Sequence, residues 1–385
     1  MKAQHRIFGI FFLFALSLGA LMSRLPDFQR QLGLTESELG LTLLGMPIGA
    51  LIALTVSTPL ILRFGARTTA FVTVFGATIL YAIIPFLPSA EIAFGAFFLA
   101  GLFAGALEIN VNLETDWHEA RLGYRIMNRA HGMWSSGFFT TALISAGVRQ
   151  LGVSIRMHMV VALVAVVIAG LFVFSGIESA PARAGGHEGA APRVAFPTIA
   201  LLALCAIGAS PLLVEGAGVD WSGIYMRDVF AVKPLIGGLA LSVFCLSMAL
   251  SRLFIDPVVD RFGPRAVATT LLLISAAGVS LVAGAPHPDV ALLGFLLMGI
   301  GCSAVYPLTI SAAAQRTDRP AAINVAALSQ MTFIVFFLAP PVLGFVAQHR
   351  GIRNSYLVCL PVILAALMMV RALSPRRHAL RSPSR

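Results

Sequence analysis

The sequence predicts an all-α integral membrane protein of twelve transmembrane helices in two related halves of six. Three observations predict it. Of the 385 residues, 58% are hydrophobic and 11% charged, against about a quarter charged in an ordinary soluble domain. Apolar runs long enough to cross about 30 Å of hydrocarbon follow one another almost without pause. The motif RFGAR at Arg63 to Arg67 returns as RFGPR at Arg261 to Arg265, 198 positions later. A spanning barrel would need alternating apolar and polar residues, and the sequence has no such alternation.

The first run, 7 to 25, follows Lys2 and Arg6 as a secretory signal would. Eleven further runs follow and no small-residue cleavage site ends it, so it is expected to stay as a helix. The second, 39 to 62, ends in RFGAR, whose glycine suits a tight turn into the third, 68 to 88. The fourth, 92 to 113, carries GALEINVNLE near its end, and the fifth, 126 to 148, opens with the polar MNRAHGMWSSG. The sixth, 157 to 176, runs into a stretch rich in Ala, Gly and Pro that reads as a flexible cytoplasmic linker. The seventh, 197 to 220, enters EGAGVDWSGIYMRD, and the eighth, 235 to 256, leads to RFGPR. The ninth, tenth, eleventh and twelfth fall at 266 to 285, 290 to 314, 323 to 347 and 354 to 373. The expected organisation is an N-terminal bundle over 1–176, a linker over 177–196, a C-terminal bundle over 197–373 and a basic tail over 374–385.

A net charge of +10 could mean nucleic acid or acidic partners, but the side of each basic residue explains it better. With the N-terminus inside, nineteen of the twenty-seven Lys and Arg residues, Arg252 among them, fall on the same side as the N-terminus. That excess follows the positive-inside rule and predicts a multi-pass protein of the cytoplasmic membrane with both termini cytoplasmic. The expected partners are the lipid bilayer and a small-molecule substrate, without nucleic acid, on a monomer. Cys205, Cys245, Cys302 and Cys359 lie singly in apolar runs, with no metal or redox spacing, and are expected to pack. No phosphate-binding loop is present, and GIGCSAVYP sits in an apolar helix and follows no strand, so no cofactor is expected. Its small residues suit close helix contact, with Tyr306 and Pro307 near a bend. No nucleophile and base share a recognisable spacing, so the chain is not expected to be an enzyme.

Charge inside the membrane singles out candidates. A carboxylate at that depth costs on the order of 3 kcal/mol, so it should face a cavity, find a partner or take up a proton. Helical spacing puts Glu108 and Asn112 on one face, one turn apart, with Asn110 pointing away as helix glue. Counted from Ile92, Glu108 is expected off centre toward the cytoplasm, and Glu114 at the cytoplasmic exit. Asn128, His131 and Ser135 share one face of the fifth run beside Trp134. In the seventh run, Glu215 is expected toward the outer half, Gly216 and Gly218 weaken the helix, and Trp221 and Tyr225 could stack a substrate ring or mark the interface. Glu108, Glu215, Asn112, Asn128, His131, Trp221 and Tyr225 are thus the candidates for proton coupling or substrate binding.

The second turn, DPVVDRFGPR, keeps Asp260, Arg261, Gly263 and Arg265 of a pattern that resembles the G-x-x-x-D-R-x-G-R-R signature of the major facilitator superfamily. Twelve spans, the duplication and LAPPVLGF in the eleventh run extend the resemblance along the whole chain. It implies two pseudo-symmetric six-helix bundles around a central cavity that opens alternately to each side. It also implies a cytoplasmic gate of Asp260, Arg261, Gly263 and Arg265, with Arg63, Gly65 and Arg67 in the first half. LEINVN is similar to the L-E-x-x-x-N of the fucose:proton symporter family, which implies a proton-coupling role for Glu108 with Asn112 nearby. LPDFQ, Leu25 to Gln29, is similar to the segment after that family's first helix, though Met22 stands where the family has a second acid. The expected function is proton-driven transport of a small polar solute such as a sugar. Efflux of amphipathic compounds and a non-transporting sensor on the same fold are the alternatives.

Overall fold

The computed structural model describes residues 3–122, 126–175 and 195–373, and every regular element among them is helical. In chain order the helices are α1 Ala3–Met22, α2 Leu25–Leu32, α3 Glu36–Leu43, α4 Gly45–Phe64, α5 Ala66–Ile83, α6 Ala90–Leu122, α7 Met127–Gln150, α8 Ile155–Phe174, α9 Ile199–Phe230 and α10 Pro234–Phe254. They continue with α11 Asp256–Phe262, α12 Pro264–Gly284, α13 Pro288–Cys302, α14 Val305–Ala314, α15 Ala321–Arg350, α16 Ile352–Leu357 and α17 Cys359–Met369. Each expected span is present as a helix or a broken helix. Eleven candidate spans are both long and apolar enough to cross a bilayer. The twelfth expected span, α7, has the length at 24 residues but carries Arg129, His131 and a run of hydroxyls in its first half. Packing between α1 and α10 gives those groups protein neighbours instead of lipid. The expected tail lies outside the described residues, as does the linker apart from Ala195 and Phe196.

Two helices are longer than their apolar runs suggest. The polar segment after Glu108 continues α6 to Leu122, and α9 runs unbroken through Gly216 and Gly218 to Phe230. Glu108 and Glu215 therefore both lie near the middle of their helices. Glu114 does not mark an exit either, since it is buried, with its Oε2 3.6 Å from Nδ1 of His118.

Small residues let backbones touch inside each half. A side chain on Gly101 of α6 would strike the carbonyl of Met46, and one on Gly49 of α4 would strike that of Phe98. In the second half, Gly299 and Gly301 of α13 stand in the same relation to α10 and α12. This is how helices associate where lipid supplies no hydrophobic drive between them. All four cysteines are buried and free, as expected of packing residues.

The repeated turns have one geometry. Gly65 has φ 80° and ψ 150°, and Gly263 has φ 81° and ψ 156°. Each glycine donates its N–H to the carbonyl four residues earlier, Ile61 at 2.9 Å and Val259 at 2.8 Å. Arg63 lies over the ring of Phe64 and Arg261 over that of Phe262, at 5.5 and 5.3 Å. A positive φ near 80° is what a residue without Cβ supplies, so these two glycines are fixed by the turn.

The face at which α1 begins is called the near face, and the opposite one the far face. The halves meet along α7 against α10 and α3 against α15. Among the described residues, four hydrogen bonds join them at the far face. Arg227 donates to the Pro26 carbonyl at 2.9 Å and to Gln29 Oε1 at 2.8 Å. Ser37 N donates to Gln348 and Leu235 N to Gln150, at 3.3 and 3.2 Å. Gly40 abuts Pro340, Gly344 abuts the Glu36 carbonyl and Gly238 abuts Ala146. The LPDFQ segment forms α2, a plug whose Asp27 is held by Arg24 at 2.6 Å and Arg149 at 2.9 Å. At the near face Arg63, Arg67, Asp260, Arg261 and Arg265 are exposed, and Asp260 has no ion pair among the described residues. The hydrogen bonds between the halves thus cluster at the far end, while the side chains of the near turns are exposed.

Two outcomes follow from this packing. Gly101→Val forces α4 and α6 apart, and thermal unfolding of the purified protein should register a loss of about 1–3 kcal/mol, whereas Gly284→Val, with open space around it, should be near neutral. In the loop before α15, hydrogen bonds from Arg316 hold the exposed Asp318 carboxyl well below the usual carboxylate range, helped by Asn324. Because the folded value is depressed, its stabilisation is complete above the unfolded carboxylate range and fades only as pH falls below it. Asp318→Asn should therefore lower the melting temperature at neutral pH, with the gap to the parent closing in strong acid. An equal gap at both pH values would contradict this.

Candidate functional site

Helices α6, α7, α9, α10 and α14 bring their polar residues together between the halves. Glu108 is surrounded by protein yet exposed, as a side chain in an internal, water-reachable cavity must be. It lies within electrostatic reach of Glu215, which belongs to the other half, and of Tyr306 at the start of α14. Tyr306 is placed by the helix break between α13 and α14 and donates to the Ser329 hydroxyl at 3.3 Å.

Glu215 has a partner. Arg252 reaches it from α10, with Nη2 3.6 Å from Oε2, while its Nε donates to the Ser303 carbonyl at 3.0 Å. At 3.6 Å the pair is electrostatic more than hydrogen-bonded. Both side chains are partly buried, where a charge pair is screened less than at a surface. Arg252 also faces His131, whose ring packs 5.2 Å from Phe11 of α1. The assembly thus holds two carboxyls and one guanidinium, with an imidazole beside it. One acid is matched and the other is not.

The remaining candidates divide. Asn112 is half-buried one turn beyond Glu108, and its Oδ1 lacks a hydrogen-bond partner among the described residues. Asn110 points the other way and donates to the Ala66 carbonyl at 2.8 Å, gluing α6 to α5 just after the Gly65 turn. The side chain of Asn128 lies outside the described residues, as does Arg125. Trp221 and Tyr225 are not at the cavity. Both are fully buried, with Tyr225 donating to the Val282 carbonyl at 2.5 Å and its ring set edge-on to Phe295 and Tyr356. Their shared helix face is real, but it is turned toward neighbouring helices and packs the second half.

Sequence reasoning missed Arg252 and undervalued Tyr306. Counting basic residues by side put Arg252 on the near side, and it does lie in the last turn of α10, between Ser251 and Leu253, but its side chain turns inward to Glu215. A basic residue within an apolar run was the available signal.

Comparison with known proteins agrees with this architecture. The family model described as Major Facilitator Superfamily matches residues 204–385. An uncharacterised MFS-type transporter of Yersinia pestis is 25% identical over 368 residues, covering 94% of each chain. The uncharacterised transporter y4wD of Sinorhizobium fredii is 27% identical over 362 residues, covering 94% of this chain and 95% of its own. The solved nucleoside transporter NupG superposes with a TM-score of 0.71 at 15% identity, over 97% of this chain and 98% of that one. The E. coli fucose:proton symporter FucP, solved as a single-site variant, gives 0.59 at 18% identity, over 97% and 98%. Twelve spans in two halves, repeated turns and a match of the second half to the Major Facilitator Superfamily model make this multi-pass membrane chain similar to that superfamily and give it the fold of its solved transporters.

Proposed function

We propose that this protein is a transporter that moves a small, hydroxyl-rich organic solute across the cytoplasmic membrane by alternating access, driven by protons, without chemical change to the solute. The observation that carries the reading is the unmatched Glu108 carboxyl in the interior, facing the Glu215–Arg252 pair across the boundary between the halves. A surplus negative charge there opposes bringing the halves together around a dehydrated cavity, because like charges repel more strongly once water leaves. A proton on Glu108 removes the surplus. The loaded, neutralised site can then close from the near side while the far plug opens.

Asn112, His131, Tyr306 and Ser329 supply donors and acceptors at the same place, as a hydroxyl-bearing ring needs. The solved neighbours named as a nucleoside transporter and a fucose:proton symporter support a polar solute and, in the second case, proton drive. The excess of Arg at the near turns supports a cytoplasmic near face, with both termini cytoplasmic. Arg63, Gly65, Arg67, Asp260, Arg261, Gly263 and Arg265 then belong to a cytoplasmic gate that stands open here. Each half of six helices moves as one body in this reading, with the linker 177–196 between them.

Thermal-shift screening of the purified protein against sugars, polyols and nucleosides supplies the solute, and proteoliposome uptake supplies the readout. Glu108→Gln, neutral at every pH, should bind and exchange that solute by counterflow while accumulation under an imposed pH gradient falls to passive equilibration. Gradient-driven accumulation at the parent level would refute the assignment. Arg252→Met should weaken counterflow as well, because Glu215 then loses its only described ion-pair partner.

A further inference from the structure

A second carboxyl lies on α9 beyond the site just described. Asp220 is five residues past Glu215, about 7.5 Å farther toward the far face. Among the described residues no hydrogen-bond or ion-pair partner of Asp220 is present. It borders a void of about 10 Å³ between the halves, walled by Met22 and Ser23 from one half and by Gly238 and Leu241 from the other. That is room for about one water molecule.

Outside this void is a recess of about 450 Å³ that opens at the far face between α2, α7, α9 and α10. The recess and the void share three wall residues, Arg149, Gly223 and Gly237. Two of the three are glycines, so the only shared side chain is that of Arg149. Its guanidinium is held in place by Asp27 at 2.9 Å. Arg149 is therefore the one side chain that lines both the far-face recess and the void beside this partly buried, unpaired acid.

The groups around Asp220 are few. Arg149 approaches from α7, with Asp27 of α2 and Arg227 of α9 at the rim of the recess. Glu215 lies below it on its own helix. From α16, Tyr356 donates its hydroxyl to the Ala217 carbonyl, one turn away. The segment of α10 facing the void contributes Gly237, Gly238 and Leu241, none of which carries charge.

We propose that Asp220 is a proton-binding carboxyl serving the far face, and that Arg149 is the lid over it. The inference rests on the proton-coupled reading above and adds a second station to it. One proton passes from water in the recess to a carboxylate oxygen of Asp220, and no bond between heavy atoms forms or breaks. Separation of α2 and α7 from α9 and α10 lifts Arg149 and admits water. In the state described here the lid is shut, while Glu108 is open to the cavity. The two acids thus face opposite solutions, with Glu215 and its void-side neighbours between them.

Infrared difference titration of the full-length protein in liposomes, from about pH 8 to about pH 5, tests the station without any solute or gradient. In the Glu108→Gln, Glu215→Gln double variant a protonated-carboxyl band should still grow as pH falls. Adding Asp220→Asn should remove it, and Asp220→Glu should return it at a shifted frequency. A band indifferent to both changes would overturn the proposal. The lid is read separately, by a membrane-impermeant thiol reagent applied at the far face to Ser23→Cys, which lines the same void. Arg149→Ala should speed labelling about tenfold, in keeping with removal of a held barrier worth roughly 1.4 kcal/mol, and unchanged labelling would overturn the lid. A normal Asp220 band in a protein that fails to accumulate solute would refute the coupling reading alone.

Discussion

The charge balance among Glu108, Glu215 and Arg252 is the constraint on which the rest of this structure depends. Three ionisable groups in the middle of a membrane protein are costly, and only one acid has a cation beside it. The cost is tolerable because Glu108 is open to water in this state. In the proposed transport cycle, any motion that dehydrates the cavity must first settle its charge, which would tie protonation to the position of the halves. Helix pairs α7 with α10 and α3 with α15 carry that motion, since they are where the halves touch.

The far-face plug supplies the opposing side of the balance. Asp27 is clamped twice within its own half, while Arg227 crosses from the other half to backbone and amide acceptors. Those cross-half bonds have a charged donor but neutral acceptors, so water can take the acceptors' place when the seam opens. Gly40, Gly238 and Gly344 allow contact without side chains that would interlock. Buried apolar residues of both halves, Leu25 and Phe28 with Trp221 and Phe244 among them, form one continuous cluster, so opening the seam must also part apolar contacts. The interior of each half, by contrast, is knit by glycine-mediated backbone contact and by buried rings such as Tyr225, Phe295 and Tyr356.

Hydrophobic runs and a repeated turn made the architecture legible in the sequence, because lipid and tight turns impose rules on single residues. Glu108 and Asn110 were legible too, since a helical period of 3.6 separates a cavity face from a packing face. Helix ends were not. Polar residues such as Glu114, Thr115 and His118 look like a loop to a hydropathy reading, yet they are buried on a helix that continues inside the protein. The pairing of Arg252 with Glu215 was not legible, because counting residues by side says nothing of where a long side chain turns. Trp221 and Tyr225 show the complementary limit: their common face was read correctly, but whether it meets a cavity or α12 and α16 depends on tertiary packing. Asp220 carried the same signal as Glu215, an acid in an apolar run, but its setting was hidden, as its neighbours in space, Met22 and Arg149, are far away in the chain.

Spin labels across the two faces test the link between charge and motion most directly. Phe64 and Phe262 are exposed at equivalent near-face turns, and Leu151 and Arg350 are exposed at the far face. Distances for both pairs, measured in the parent and in Glu108→Gln, should shift in opposite senses, the near pair closing and the far pair opening in the neutral variant. Distributions that remain the same in the two proteins would contradict the claim that the charge on Glu108 holds the near face open.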